Sequence, residues 1–523
     1  MYTDGALYLG LADGARVTMP LNMCNRHGLI AGASGTGKTI TMKVMAESFS
    51  DAGVPVFLCD VKGDVSGIAE PGAQNEGMEK RIDKFGLRES FAYKGYPVAF
   101  WDIYQEKGHP VRCTVSDMGP DLLSRLLGLS PAQQGVLDIV FKIADDQGLL
   151  LLDMKDLRAM LSYVGDHREE YTTTYGNVSA QSLGTIIRAL LPLEREGGDL
   201  FFGEPDLDIR DWFRTASDGR GMVNVLDCVK LVQNPTLYAS FLLWMLSELF
   251  EVLPEAGDTD KPKLVFFFDE AHMLFTDAPR ALVQKIEQVV KLIRSKGVGV
   301  YFVTQSPSDI PDSVLAQLSN RVQHALRAYT PAEQKAVRAA AQAFRENPAF
   351  KAADVITELG VGEALVSVLD EKGVPGVVQK TAIVCPQSLM APAQESTRQS
   401  ALAGDGMGKY DRAVDSESAY ERLQEEQEKA EKQAALDAER EAFEKEKAAF
   451  EAQKAKEEEA ARKKAEKEAE AQRKKLEKAL EREELQRQKA AERRRAQLER
   501  QLINTGAQVL KRGLMGTLFG GKR

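Results

Sequence analysis

The chain has 523 residues, 43% apolar and 28% charged, which allows one large domain or two to three ordinary ones around a sizeable core. Net charge is −10, divided unevenly into −12 over residues 1–400 and +2 over 401–523, so avid non-specific DNA binding by the outer surface of the main body is disfavoured. No run approaches 18 apolar residues, so no transmembrane span is expected, and five scattered cysteines without a C-x-x-C pair fit a reducing cytoplasm rather than a zinc site or disulfide framework.

Residues 1–14 lack the basic and apolar regions of a signal peptide, and a cytoplasmic location is expected. Residues 8–11 and 17–21 read as short strands, forming a β segment over 1–25 too small for a domain. HGLI at 27–30 reads as a buried strand that enters the octapeptide Gly32-Ala33-Ser34-Gly35-Thr36-Gly37-Lys38-Thr39. This fits the phosphate-loop pattern G-x-x-x-x-G-K-[ST] at every fixed position. Gly32, Gly35 and Gly37 let the backbone curl, so that N–H groups along the loop, including those of Ser34 and Thr36, face the phosphates of ATP. Lys38 can reach the β- and γ-phosphates, and the Thr39 hydroxyl can hold Mg²⁺. The helical pattern at 40–49 places the phosphates at a helix N-terminus.

An apolar run at 54–59 ends in Asp60 and reads as a parallel strand. Its tail, Asp60-Val61-Lys62-Gly63-Asp64, should emerge at the carboxyl edge of the sheet beside the nucleotide. Residues 97–102 read as another strand, and 117–200 as a Leu-rich helical insertion. Strand patterns return at 221–227, followed by an apolar helix at 236–253. Leu264 to Phe268 are five apolar residues followed by Asp269 and Glu270, the companion acidic strand of phosphate-loop ATPases. Asp269 would hold Mg²⁺ through water, and Glu270 would polarise the attacking water. Gln305, at the end of the strand in SKGVGVYFVTQ, is the candidate γ-phosphate sensor. Arg321 or Arg327 could act in trans as an arginine finger, and Arg321 is preferred.

DEAH at 269–272 invites a DEAH-box helicase reading, but no Ser-Ala-Thr motif and no Q-x-x-G-R-x-G-R stretch follows. His272 is read as a residue that packs or that supports the acidic pair from behind. Instead GASGTGKT, VFLCDVKGD, FFFDEAH and KLIRSKGVGVYFVTQSPSDIPDSVLAQLSNRVQHALR resemble HerA/FtsK-type ATPases, most closely the bacterial HerA-like branch of the YjgR type, over roughly residues 5–390. The resemblance implies an α/β, RecA-like (ASCE) P-loop NTPase with a parallel central sheet, spanning 26–390 here. It also implies a hexameric ring acting on double-stranded DNA. By position, Lys38 and Thr39 bind nucleotide and Mg²⁺, Asp269 and Glu270 form the acidic pair, Gln305 is the sensor, and Arg321 falls near the trans-acting arginine. HerA proper carries a larger β-barrel before its phosphate loop, which docks a nuclease partner. Here only the β segment over residues 1–25 precedes the strand that enters the loop.

Residues 391–415 read as a linker rich in small and polar residues, with Tyr410 a candidate for docking on the core. Ser418-Ala419-Tyr420-Glu421 fits a capping box. From 416 to 503 the composition is that of a charged helix or coiled coil, roughly 130 Å long at 1.5 Å per residue. Leu436, Phe443 and Phe450 recur every seven residues, but only alanine is apolar between 451 and 475. A coiled coil that binds a protein partner and a solvated spacer both fit. Residues 504–523 form a Gly-rich basic tail, open to a membrane, nucleic acid, the ring or disorder. The functional expectation is an ATP- and Mg²⁺-dependent ring motor acting on nucleic acid. The alternatives are an ATPase switch that works on a protein through the C-terminal helix, and a conjugation or secretion ATPase.

Overall fold

Thirteen strands join in one sheet in a computed structural model that describes residues 1–257, 259–276 and 278–505. They are β1 (Tyr2–Thr3), β2 (Ala6–Ala12), β3 (Ala15–Pro20), β4 (Gly28–Ala31), β5 (Val56–Asp60), β6 (Val98–Asp102) and β7 (His109–Pro110). The remainder are β8 (Val223–Asp227), β9 (Leu264–Phe268), β10 (Val298–Thr304), β11 (Asn320–Gln323), β12 (Glu363–Ser367) and β13 (Gln379–Ile383). The order is β1-β2-β13-β12-β11-β4-β10-β9-β5-β8-β6-β7, with β3 paired to β2. From β11 to β7 the strands run parallel. From β11 back to β1 the pairings are antiparallel, so the N-terminal β segment extends the ATPase sheet through β13.

The central strands are continuously apolar because both faces are covered. In β9, Leu264, Phe266 and Phe268 join the core on one face, and Val265 and Phe267 join the core on the other. Phe267 stacks on Tyr301 of β10 at 5.1 Å and meets Phe49 of the first helix, α1 (Lys38–Asp51), at 6.2 Å. Burying one such ring contributes about 2–3 kcal/mol. These layers fix the carboxyl ends of β4, β5, β9 and β10 side by side, where ligands bind in such sheets.

Helices fill the stretch between β7 and β8. The first four are Val115–Leu126, Pro131–Gln147, Met154–Asp166 and Arg168–Tyr175, and Ala180–Glu196 and Gly198–Phe201 follow. Thr114, Ser130 and Asp153 open three of them with capping boxes. Residues 391–415, expected as a linker, contain the helix Glu395–Gly404. Two long side chains dock this stretch. The Arg398 guanidinium lies 4.6 Å over the Phe100 ring, and Tyr410 packs edge-on at 5.7 Å from Trp101. The sequence offers Tyr410 as a docking candidate but gives no sign of Arg398, one charged residue in a polar stretch.

By contact density the chain divides after Glu426. The helix Ala419–Thr505 starts within the first unit, where Ser418 and Glu421 hydrogen-bond each other. In the second unit it is laced by i,i+4 pairs such as Lys432–Glu428, Lys463–Glu459 and Lys474–Glu470. Leu436, Phe443 and Phe450 are exposed on it. Of the expected basic tail at 504–523, residues 506–523 lie outside the described residues. No helix among the described residues is long and apolar enough to cross a membrane.

Candidate active site

The loop between β4 and α1 is held open by conformations that favour glycine. Gly32, Gly35 and Gly37 have φ of 155°, 77° and 116°. A Cβ on Gly32 would lie 2.5 Å from the Cβ of His324. The loop base is pinned from two sides, by Gly32 N–H to Thr304 O at 3.2 Å and Ala33 N–H to Ala325 O at 2.8 Å. The Thr36 hydroxyl donates to Ala33 O at 2.7 Å, and Thr36 O accepts from Gly362 N–H at 3.0 Å. Ser34 and Gly35 form the exposed tip. Lys38 is buried and folds back, its Nζ 2.6 Å from Gly32 O and 3.2 Å from Ala33 O. Burial holds its pKa below the ordinary lysine range, against the pull of Glu270. Lys38 and Thr39 occupy the first turn of α1, whose N-terminal N–H groups and dipole suit an anion.

Asp269 and Glu270 follow β9 and are both buried. Asp269 Oδ1 accepts from Glu270 N–H at 2.9 Å, while its Oδ2 is buried without a hydrogen-bond partner. Burial raises the Asp269 carboxyl to about 6. An orphaned buried carboxylate oxygen beside the phosphate loop is the kind of group a divalent cation satisfies. The donor chemistry at this edge therefore fits Mg²⁺. Glu270 sits at φ 46°, ψ 46°. Its Oε1 is 2.6 Å from Lys62 Nζ, and its Oε2 is 3.4 Å from Gln305 Nε2 and 3.3 Å from His272 Nδ1. Burial pushes the Glu270 carboxyl up, but the Lys62 ammonium, joined by Gln305 and His272, holds it below the ordinary glutamate range.

Lys38, Asp269, Glu270 and Gln305 thus converge at the ends of neighbouring strands. Arg321 does not join them. It lies within β11, and its guanidinium donates to Leu318 O, Ala343 O and Leu315 O at 3.0, 3.2 and 3.1 Å. Arg327, six positions on, is exposed.

Two contributors had no role assigned from sequence. Lys62 stands in the loop after β5, a strand paired directly with β9. The apolar run ending in Asp60 places that loop at the sheet edge, yet nothing in the pattern says that Lys62 meets Glu270. His324 backs the phosphate loop, with Nε2 2.9 Å from the Thr41 hydroxyl and Nδ1 2.9 Å from Glu363 O. A lone histidine at a strand end carries no signal for such a role.

Burial pushes His27 and His324 down to about 4. Each is neutral in the fold, whereas the unfolded chain takes up a proton near pH 6.5. The unfolded state therefore binds more protons between pH 6.5 and 4, and the stability these groups contribute is lost as pH falls through that window. Asp60 and Asp269, both raised to about 6 mainly by burial, work in the opposite sense. His324→Asn isolates one histidine. The stability gap between variant and parent should narrow by about 2 kcal/mol from pH 7 to pH 5. Denaturant titrations at the two pH values measure it, and an unchanged gap would refute the assignment of a neutral buried imidazole.

A family model described as helicase HerA-like, C-terminal, matches residues 9–523. No curated protein matches the chain. Among solved structures, the plasmid coupling protein TrwB with the non-hydrolysable GTP analogue GDPNP is 16% identical. It has a TM-score of 0.52, and the match covers 75% of this chain and 92% of that one. TrwB with ADP and Mg²⁺ is 16% identical, with a TM-score of 0.50 and coverage of 76% and 93%. The bacterial conjugative coupling protein TrwBdeltaN70, in a trigonal form with sulphate, is 16% identical, with a TM-score of 0.51 and coverage of 76% and 92%. The likeness shows a shared fold of the RecA-like P-loop type.

Proposed function

The chain belongs to the helicase HerA-like C-terminal family, and from that premise we propose that it hydrolyses ATP with Mg²⁺ as a ring of identical subunits, coupling hydrolysis to translocation or remodelling of nucleic acid. The observation that carries the catalytic part is the convergence of Lys38, Asp269, Glu270 and Gln305 at one sheet edge, with Asp269 Oδ2 left without a partner. Bound Mg²⁺ would offset negative charge on the β- and γ-phosphates. Lys38 would exchange its carbonyl contacts for phosphate oxygens, a stronger, charge-assisted pairing. Backbone N–H groups from Gly32 to Thr39 would cradle the phosphates. Glu270 would accept the proton of the attacking water, and Gln305, already beside it, would register the γ-phosphate.

Completion of the site by a neighbouring subunit belongs to the same reading. In that role Arg321 would have to release three carbonyls, whereas Arg327 is exposed without rearrangement. A cytoplasmic location, and use of the charged C-terminal helix to bind a protein partner, belong to the proposal too.

A motor on duplex DNA should show ATP turnover stimulated by DNA, with stimulation that fades as salt rises, since phosphate contacts release counterions. Turnover across a salt series, with and without duplex, measures this. No DNA response at any salt, together with a protein partner whose capture requires the helix Ala419–Thr505, would favour the alternative of an ATPase switch. The net charge of −12 over residues 1–400 is the observation on that side.

A further inference from the structure

Glu270 can activate water only when its carboxylate is free to accept a proton, and here both oxygens are engaged. Lys62 Nζ is 2.6 Å from Oε1, and Gln305 and His272 stand 3.4 and 3.3 Å from Oε2. The left-handed backbone of Glu270, at φ 46° and ψ 46°, is a posture that persists only when the surroundings impose it.

Lys62 does not reach Glu270 by chance of a loose loop. The buried Asp60 carboxylate accepts from the N–H groups of Gly63, Val65 and Ser66 at 2.7, 3.1 and 3.1 Å, fixing the turn that carries Lys62. From behind, the buried Lys43 ammonium donates to Asp64 O at 3.3 Å and to Leu389 O. The Lys62 side chain is nevertheless 43% exposed, so it can be drawn away without unpacking the core. Asp64 and Asp269 also pull on its charge, and Glu270 is its ion-pair partner among the described residues.

Resting on the ATPase reading above, we propose that Lys62 is a positioning residue that holds Glu270 paired and off the attacking water, restraining basal turnover. The Lys62–Glu270 pair is then a built-in resting state, and full hydrolysis requires its rupture. The restraint acts on the chemical step and leaves nucleotide binding, which uses the phosphate loop, unaltered.

Lys62→Met keeps the stem and removes the charge. In the full-length chain, kcat without any added macromolecule should rise about tenfold, the effect of removing one charge-assisted hydrogen bond, with KM for ATP unchanged. Lys62→Arg, which can still pair, should stay near the parent. Lys38→Ala in each background shows that the turnover belongs to this site. A Met variant with kcat equal to or below the parent overturns the proposal, as does an Arg variant that rises as much as the Met variant. If the parent shows no turnover that Lys38→Ala removes, the ATPase reading itself fails.

Discussion

Lys38→Ala protein is expected to turn over ATP at least ~10²–10³-fold more slowly than the parent, the loss that follows removal of one preorganised charge from a developing anion. The structure gives a reason to expect a clean effect. Among the described residues the hydrogen bonds of Lys38 Nζ go to Gly32 O and Ala33 O of its own loop, so deleting it strands no ion-paired carboxylate. The loop retains its other ties, to Thr304 O, Ala325 O and the Gly362 N–H. Fold and melting temperature should therefore change little, while KM rises and kcat falls together. Steady-state phosphate release on the purified variant, with circular dichroism as the folding control, decides the matter. Turnover within tenfold of the parent would remove Lys38 from the site.

Glu270→Gln should separate binding from chemistry. The amide keeps the size of the side chain but cannot take a proton, and loss of a positioned general base slows hydrolysis by about 10²–10⁴-fold. ATP should still bind, because the phosphate loop and Asp269 are untouched, so the variant should accumulate bound, unhydrolysed ATP. Lys62 would lose its charged partner, but with 43% of its side chain exposed, solvent can satisfy it. The check is a single-turnover measurement alongside a nucleotide-binding titration. Hydrolysis at the parental rate would end the assignment, and loss of binding would mean that Glu270 holds the site together rather than activating water.

What was legible in advance was local. GASGTGKT is eight contiguous residues whose glycine positions follow from left-handed backbone at Gly35 and Gly37. The acidic pair follows an unbroken apolar strand, because a strand covered on both faces must end before a charge can appear. The charged run opening at Ser418 reads as helix because its capping residues and i,i+4 charges are close in the chain. None of these needed knowledge of the strand order.

The pairings that decide how the site behaves are long-range. Sequence placed Lys62 at the sheet edge, and only the adjacency of β5 and β9 sets it against Glu270. The same order puts His324 under the phosphate loop. Arg398 and Tyr410 turn a stretch of linker-like composition into part of the core surface. The sequence by itself determined that a nucleotide loop, an acidic strand end and a long charged helix share one chain, since each is written in neighbouring residues. Which side chains face each other across that site was decided by the parallel sheet, whose crossovers bring together residues that no local periodicity connects.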